Sequence, residues 1–128
     1  MSDNEKFERG VAEFNARRFF EAHEVWEELW LAAAEPEKTF LQGLIQLAAA
    51  FHHQARGNAR GAQSLLAAGI AKLARCPDDF RGVAIAGLRK EAERWAEILR
   101  GNKGPESPGV PRIHTARAKA ARKKKRGG

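Results

Sequence analysis

The apolar residues of this chain recur at helical spacing over most of its first 100 positions. Large apolar side chains return every three or four residues, as at Phe7, Val11 and Phe14, which is typical of amphipathic α-helices. Capping residues, glycines and prolines separate five such segments. The pattern predicts helices over about residues 3–15, 18–33 and 36–56, a fourth from 59 to Cys76-Pro77, and a fifth that ends before Gly101.

A short internal sequence similarity indicates how these helices are arranged. The segments FERGV, from Phe7, and FLQGL, from Phe40, share F-x-x-G and lie 33 residues apart, which is near the period of helical-hairpin repeats. Short connections make neighbouring helices antiparallel. The sequence therefore predicts an all-α fold, a compact bundle of about five helices made of two stacked helical hairpins and a closing helix.

The charge is divided unevenly along the chain. Residues 103–126 contain nine Lys or Arg and one acid, whereas residues 1–100 contain 14 basic and 15 acidic side chains. Residues 101–128 also contain three prolines and five glycines, with almost nothing to bury. We therefore expect a helical domain over residues 1–100 and a disordered basic tail over residues 101–128.

Composition excludes several classes of protein. The single cysteine, Cys76, can form no internal disulfide and is expected to be a small residue at the core boundary. No apolar run reaches the length of a membrane span, and the first ten residues do not resemble a signal segment, so a cytoplasmic protein is expected. Six aromatic residues at helical spacing are predicted to be core: Phe7, Phe14, Phe19, Trp26, Phe40 and Phe51.

Polar residues within this apolar pattern indicate a site. His23 and Glu27 lie one turn apart at the border of the apolar face of the second helix, so their side chains are placed to meet. Gln42, Gln46 and His53 form a narrow stripe on the third helix. If the two helices pack as neighbours, the stripe faces the His–Glu pair and forms a small polar pocket, with Trp26 and Trp30 as its walls.

Several interpretations of these residues are open. The His–Glu pair can serve packing alone. Zinc or iron could bind to His23, Glu27 and His53, although HEVWE lacks the second His of an HExxH motif. An imidazole oriented by Glu27 could instead act as a general base, with Gln46 polarising a carbonyl, but no Ser or Cys nucleophile lies beside it.

Two longer segments resemble a known family. FFEAHEVWEELW and FLQGLIQLAAAFHHQARGNARGA are similar to the small helical bacterial and archaeal proteins grouped as domain of unknown function 309, over roughly residues 7–99. The resemblance implies an all-helical compact fold and no established activity. The chain departs from the family pattern at Ala84, where an acidic helix cap is expected. The resemblance assigns the family's polar motif to His23, Glu24, Glu27, Trp30, Gln46 and Asn58, with His53 beside them.

These observations favour a binding module over an enzyme. The predicted module binds a small polar ligand or a peptide group in the pocket, without a cofactor; the alternative is a metal-assisted or His/Glu acid-base hydrolytic enzyme. A cluster of basic residues without aromatic side chains can contact phosphates but cannot recognise base sequence. The tail is therefore predicted to attract nucleic acid or acidic proteins non-specifically. Its cations are Arg117, Lys119, Arg122, Lys123, Lys124, Lys125 and Arg126.

Removal of residues 103–128 is expected to weaken the binding of nucleic acid at low salt, because the cations that would neutralise phosphates are lost. For duplex DNA, each phosphate neutralised by the intact tail should add about −0.9 to the slope of log affinity against log salt. Titrations of duplex DNA at several salt concentrations measure both quantities. Equal affinity of the two proteins at low salt would contradict a role for the tail.

Overall fold

The computed structural model describes residues 1–101 and 109–115. Within them the chain forms five α-helices and one two-stranded antiparallel hairpin, which confirms the predicted all-α bundle. In chain order the helices and strands are α1 Asp3–Asn15, α2 Phe19–Ala32, α3 Glu37–Ala55, α4 Ala59–Leu73, β1 Asp79–Phe80, β2 Val83–Ala84 and α5 Ile85–Leu99. Helices adjacent in sequence pack against each other, from α1 on α2 to α4 on α5.

Local sequence signals set most helix ends. Ser2 caps α1 in a capping box with Glu5, in which each side chain accepts a hydrogen bond from the other residue's backbone N–H. Asn58 caps α4 by accepting from the Gly61 N–H at 3.0 Å. Gly57, at a φ of 82°, makes the turn before it, a conformation that L side chains rarely adopt. The tight GN turn between α3 and α4 is thus confirmed.

An ion pair fixes the turn between α1 and α2. The Arg18 guanidinium donates two hydrogen bonds to the Glu13 carboxylate, at 2.7 and 3.0 Å. These bonds hold the pKa of Glu13 below its usual value and raise that of Arg18. The bidentate geometry therefore ties the end of the first helix to the start of the second.

The two F-x-x-G segments perform the same task in the two hairpins. At Gly10 the indole of Trp26 fills the space of a side chain, and its Nε1 donates to the Phe7 carbonyl at 3.2 Å. At Gly43 an added Cβ would lie 2.9 Å from the Leu73 side chain. In each hairpin the glycine of the first helix thus admits the second helix at close range. This common packing explains why the two segments share F-x-x-G.

All six aromatic residues predicted to be core are buried. The rings of Phe14 contact those of Phe19, Trp26 and Phe51, with centroids 5.1 to 6.2 Å apart. Edge-on and tilted contacts at these distances are favourable beyond the area they bury. The aromatic stripe therefore joins α1, α2 and α3 in one core.

The segment between α4 and α5 contains a hairpin that the apolar pattern does not predict. α4 ends at Leu73, and residues 79–84 form the hairpin, in which Phe80 pairs with Val83. Ala84 stands at the cap position of α5 with no side-chain bond, and the backbone N–H groups of Ile85 and Ala86 donate instead to the Asp78 carbonyl. A backbone oxygen therefore replaces the acidic cap that this chain lacks.

Residues 109–115 pack on the helical domain, beyond the boundary expected at residue 100. Ile113 is buried, and its backbone N–H and carbonyl both bond to the Asn15 side chain, at 2.7 and 3.0 Å. The Trp95 indole donates to the Gly109 carbonyl at 3.1 Å. The expectation of almost nothing to bury is therefore wrong for these seven residues. The cations predicted for the tail, from Arg117 onward, lie outside the described residues.

Cys76 lies at the core boundary, half-buried, with its thiol 3.7 Å from the Lys72 carbonyl. Burial raises the pKa of this thiol, so it is protonated at neutral pH. None of the helices in the described part of the chain has the length and apolar composition needed to cross a bilayer.

Substitution Gly10→Ala is expected to lower the free energy of unfolding by about 1–3 kcal/mol, because the added methyl overlaps the Trp26 indole in a packed core. The matched control is Gly87→Ala in α5, where an added Cβ meets no atom within 4 Å. The control should be neutral or stabilise by up to about 1 kcal/mol through helix propensity. Urea titration measures both; equal effects would contradict the packing role of Gly10.

Candidate functional site

The side chains of His23 and Glu27 contact each other on α2, as their spacing predicts. His23 Nε2 lies 3.0 Å from Glu27 Oε2, and the two side chains are 28% and 50% exposed. At this exposure such a pair contributes only about 0–1 kcal/mol to stability. Its chief effect is geometric, since a carboxylate acceptor at Nε2 fixes the orientation of the ring. The other ring nitrogen, Nδ1, is buried and makes no hydrogen bond with any described residue.

An aromatic contact joins α2 to the end of α3 beside this pair. The Phe20 ring lies 5.8 Å from the His23 ring and 5.4 Å from the His52 ring, and Phe20 is 47% exposed. The residue of α3 connected to His23 through Phe20 is therefore His52, not the predicted His53. The sequence analysis missed Phe20 and His52, although Phe20 lies three residues before His23 and so on the same side of α2.

His53 and Asn58 belong to the turn between α3 and α4. Asn58 Nδ2 lies 3.2 Å from His53 Nδ1, and the Asn58 backbone N–H donates to the His53 carbonyl at 2.8 Å. Adjacent helical residues point about 100° apart, so His53 is directed away from the side of His52. Asn58, predicted as a site residue, thus has a capping role in α4.

The proposed metal ligands are not brought together. Within residues 1–101 and 109–115, no three His, Cys, Asp or Glu side chains are grouped closely enough to hold a metal ion. His53 is occupied with Asn58, which leaves His23 and Glu27 as a pair. His23, Glu27 and His53 are therefore not grouped as three ligands among the described residues.

The two tryptophans of α2 have different surroundings. Trp26 is fully buried against α1, so it belongs to the core and is not the predicted wall of a pocket. Trp30 lies at the edge, where Lys38 Nζ stands 4.2 Å above its ring and donates to its backbone carbonyl at 2.8 Å. The Trp30 indole Nε1 is buried and makes no hydrogen bond with any described residue.

Gln46 lies beside the seam between α2 and α3. Contacts of Phe20 with His52 and of Trp30 with Lys38 show that the helices are antiparallel. Along the helix axis, Gln46 lies at a level between His23 and Trp30. Around the axis of α3, its side chain is rotated by about 100° from the side that carries Lys38 and His52. The amide stripe therefore flanks the seam and does not face the His–Glu pair squarely. Gln46 Oε1 is buried and unbonded to any described residue.

The charged side chains of α2, apart from its histidine, are all acidic. The helix contains four glutamates, Glu21, Glu24, Glu27 and Glu28, and neither Lys nor Arg. Glu24, from the predicted polar motif, is exposed to solvent. The outer surface of this helix therefore favours neutral or cationic groups.

A groove of about 420 Å³ opens at the other end of the helix pair, away from the predicted site. Its floor is apolar, and charged side chains stand at its rim. Thr39 donates its hydroxyl and backbone N–H to Glu35 at this rim and holds the pKa of that carboxyl below its usual value. The lining residues are Asp3, Lys6, Phe7, Glu28, Leu29, Ala32, Ala33, Ala34, Glu35, Pro36, Glu37, Leu41 and Arg81.

Comparison with known proteins identifies the α1–α4 region. Residues 7–65 match the model of the family described as "Domain of unknown function (DUF309)". These 59 of the 128 residues are thus similar to the DUF309 family. The matched range contains both F-x-x-G segments, the His23–Glu27 pair and Gln46. The family resemblance noted from the sequence is thus confirmed.

Two relatives of this chain extend the comparison. An "Uncharacterized protein" of Aquifex aeolicus (strain VF5) is 35% identical over 81 residues, 62% of this chain and 24% of the relative. "Uncharacterized protein YpuF" of Bacillus subtilis (strain 168) is 42% identical over 62 residues, 47% of this chain and 36% of the relative. The matched regions thus span about a quarter and about a third of these curated relatives.

Substitution Gln46→Met is expected to leave stability unchanged or to raise it by about 1 kcal/mol, because it replaces a buried oxygen that makes no hydrogen bond. The matched control is Gln63→Met: the Gln63 amide donates to the Leu99 carbonyl, so its loss should cost about 1 kcal/mol. Urea unfolding of both variants provides the comparison. Similar losses in the two would show that Gln46 Oε1 has a partner in solution.

Proposed function

We propose that this protein is a peptide-binding module whose ligand lies along the outer seam between α2 and α3. The supporting observation is a set of three buried polar atoms that make no hydrogen bond with the described residues. They are His23 Nδ1, Trp30 Nε1 and Gln46 Oε1. All three residues also belong to the polar motif predicted from the sequence.

The energetic cost of burying polar atoms without hydrogen bonds suggests that these three atoms have a role. A buried donor or acceptor without a partner costs about 1–3 kcal/mol, and native proteins contain few of them. Three such atoms, two on α2 and one on the flank of α3, therefore lower the stability of the free protein. A ligand that supplies the missing hydrogen bonds, once the side chains rotate to present these buried atoms, recovers part of that energy on binding.

The spacing of the three atoms favours an extended ligand. His23 and Trp30 are seven residues apart on α2, a rise of about 10 Å. An extended peptide covers this distance with about three residues. A peptide also presents the required groups repeatedly: its carbonyl oxygens accept from the Trp30 indole, and its N–H groups donate to Gln46 Oε1.

Charge and apolar exposure narrow the class of peptide. Four glutamates and no basic residue on α2 favour a ligand with Lys or Arg over an acidic one. Phe20, about half exposed beside His23, offers an apolar surface to a side chain of the ligand. The proposed ligand is therefore a short extended peptide that is neutral or basic and contains an apolar residue.

Selection of displayed random heptapeptides on the wild-type protein tests this function. Enriched peptides are then synthesised and titrated against wild type and the double variant Trp30→Phe with Gln46→Met. Loss of two hydrogen bonds should weaken binding by about tenfold or more. The enriched sequences should contain more Lys and Arg than Asp and Glu.

The matched control is Glu91→Gln, an exposed substitution on α5, which should change the affinity less than about twofold. Circular dichroism establishes that each variant is folded. Failure to enrich any peptide, or equal affinity of the enriched peptides for wild type and the double variant, would overturn the proposal.

A further inference from the structure

We propose that residues 117–126 of this chain occupy the groove between the start of α1 and the α2–α3 turn. This intramolecular contact involves a different surface from the α2–α3 seam and does not depend on the peptide-binding function. The inference rests on where the described chain ends, at residue 115, on the length and charge of residues 116–128, and on the composition of the groove.

The contacts of residues 109–115 fix where the described chain ends. The Val110 carbonyl accepts from the Arg17 side chain at 3.0 Å, and Ile113 bonds to Asn15. The His114 carbonyl then accepts from the Ala84 N–H at 3.0 Å, and Thr115 pairs with Val83 in an antiparallel bridge. The segment thus crosses from the end of α1 to the hairpin.

The described chain ends beside a hairpin that contributes to the groove. Thr115 pairs with Val83, and Arg81 and Gly82 form the turn of the same hairpin. Arg81 is part of the groove: its guanidinium lies 5.7 Å from the Phe7 ring and pairs with Glu37. Thr115, from which residues 116–128 continue, is therefore bonded to the same hairpin as a side chain that lines the groove.

Length and charge match the groove to this segment. Residues 116–128 contain seven Lys or Arg and no acid. Thirteen residues reach about 40 Å when extended, more than enough to cross a groove of this size. The rim contains four carboxylates and two cations. Among the described residues, Glu37 is the one of these carboxylates that forms an ion pair. Asp3, Glu28 and Glu35 form none with any described residue, and Glu35 accepts hydrogen bonds from Thr39.

The groove can hold both the apolar stems and the charged groups of Lys and Arg side chains. Its volume of about 420 Å³ falls within the usual range of ligand sites. Phe7, Leu29 and Leu41 supply apolar floor for the methylene stems of Lys and Arg, while the ammonium and guanidinium groups reach the rim. Such contacts are individually weak and depend on salt.

Paramagnetic broadening in the full-length chain tests the contact. A nitroxide is attached to Ala121→Cys in a Cys76→Ala background, and amide signals are compared before and after reduction of the label. Signals of Asp3, Lys6 and Glu28 should broaden strongly, whereas those of Glu91 and Glu97, exposed acids of α5, should not. Salt of about 1 M, where the screening length is near 3 Å, should abolish the broadening.

Two sets of substitutions give the matched comparison. Asp3→Asn with Glu28→Gln should weaken the contact by about threefold or more, while Glu91→Gln with Glu97→Gln should leave it unchanged. Equal broadening at the groove and at α5, or no response to the first pair, would overturn the proposal. So would broadening of equal size in a mixture of isotope-labelled chain and separate spin-labelled chain, since the contact would then lie between two copies.

Discussion

The indole of Trp26 occupies the space that a side chain at residue 10 would fill, and the arrangement of the bundle depends on that contact. It sets the distance between α1 and α2, and its hydrogen bond to the Phe7 carbonyl also fixes the rotation of α2 about its axis. With Trp26 turned inward, residues one turn apart on the adjacent side, His23 and Glu27, fall at the border of the core. A shift of α2 by one residue would turn it by about 100° and expose the indole. The packing of one glycine thus positions the candidate site.

Much of the fold is encoded locally and could be predicted from the sequence. Ser2, Gly57 and Asn58 act within a few residues of themselves, so the ends of α1, α3 and α4 can be read from known capping preferences. The hairpin of residues 79–84 was missed because strands of two residues have no detectable period. The packing of residues 109–115 was missed for a different reason. Burial of Ile113 depends on Asn15, which is distant in sequence, and no local pattern reports such a contact.

The candidate site likewise combines local contacts, which the sequence predicts, with tertiary contacts, which it does not. The pair of His23 and Glu27 is a contact within one helix and was predictable from spacing alone. The choice between His52 and His53 was not, because adjacent positions differ by about 100° and only the tertiary contact with Phe20 decides between them. Composition likewise cannot tell that Trp26 satisfies its indole N–H in the core while the Trp30 indole N–H has no partner among the described residues.

The bridge between Thr115 and Val83 has a thermodynamic consequence for the rest of the chain beyond it. A segment tethered at that point meets the surface of its own domain at a fixed local concentration, which for short tethers is on the order of millimolar. An interaction too weak to detect between separate molecules would then be populated much of the time within one. A soluble polyanion would have to exceed this concentration advantage, or bind more tightly, before it could engage the same cations.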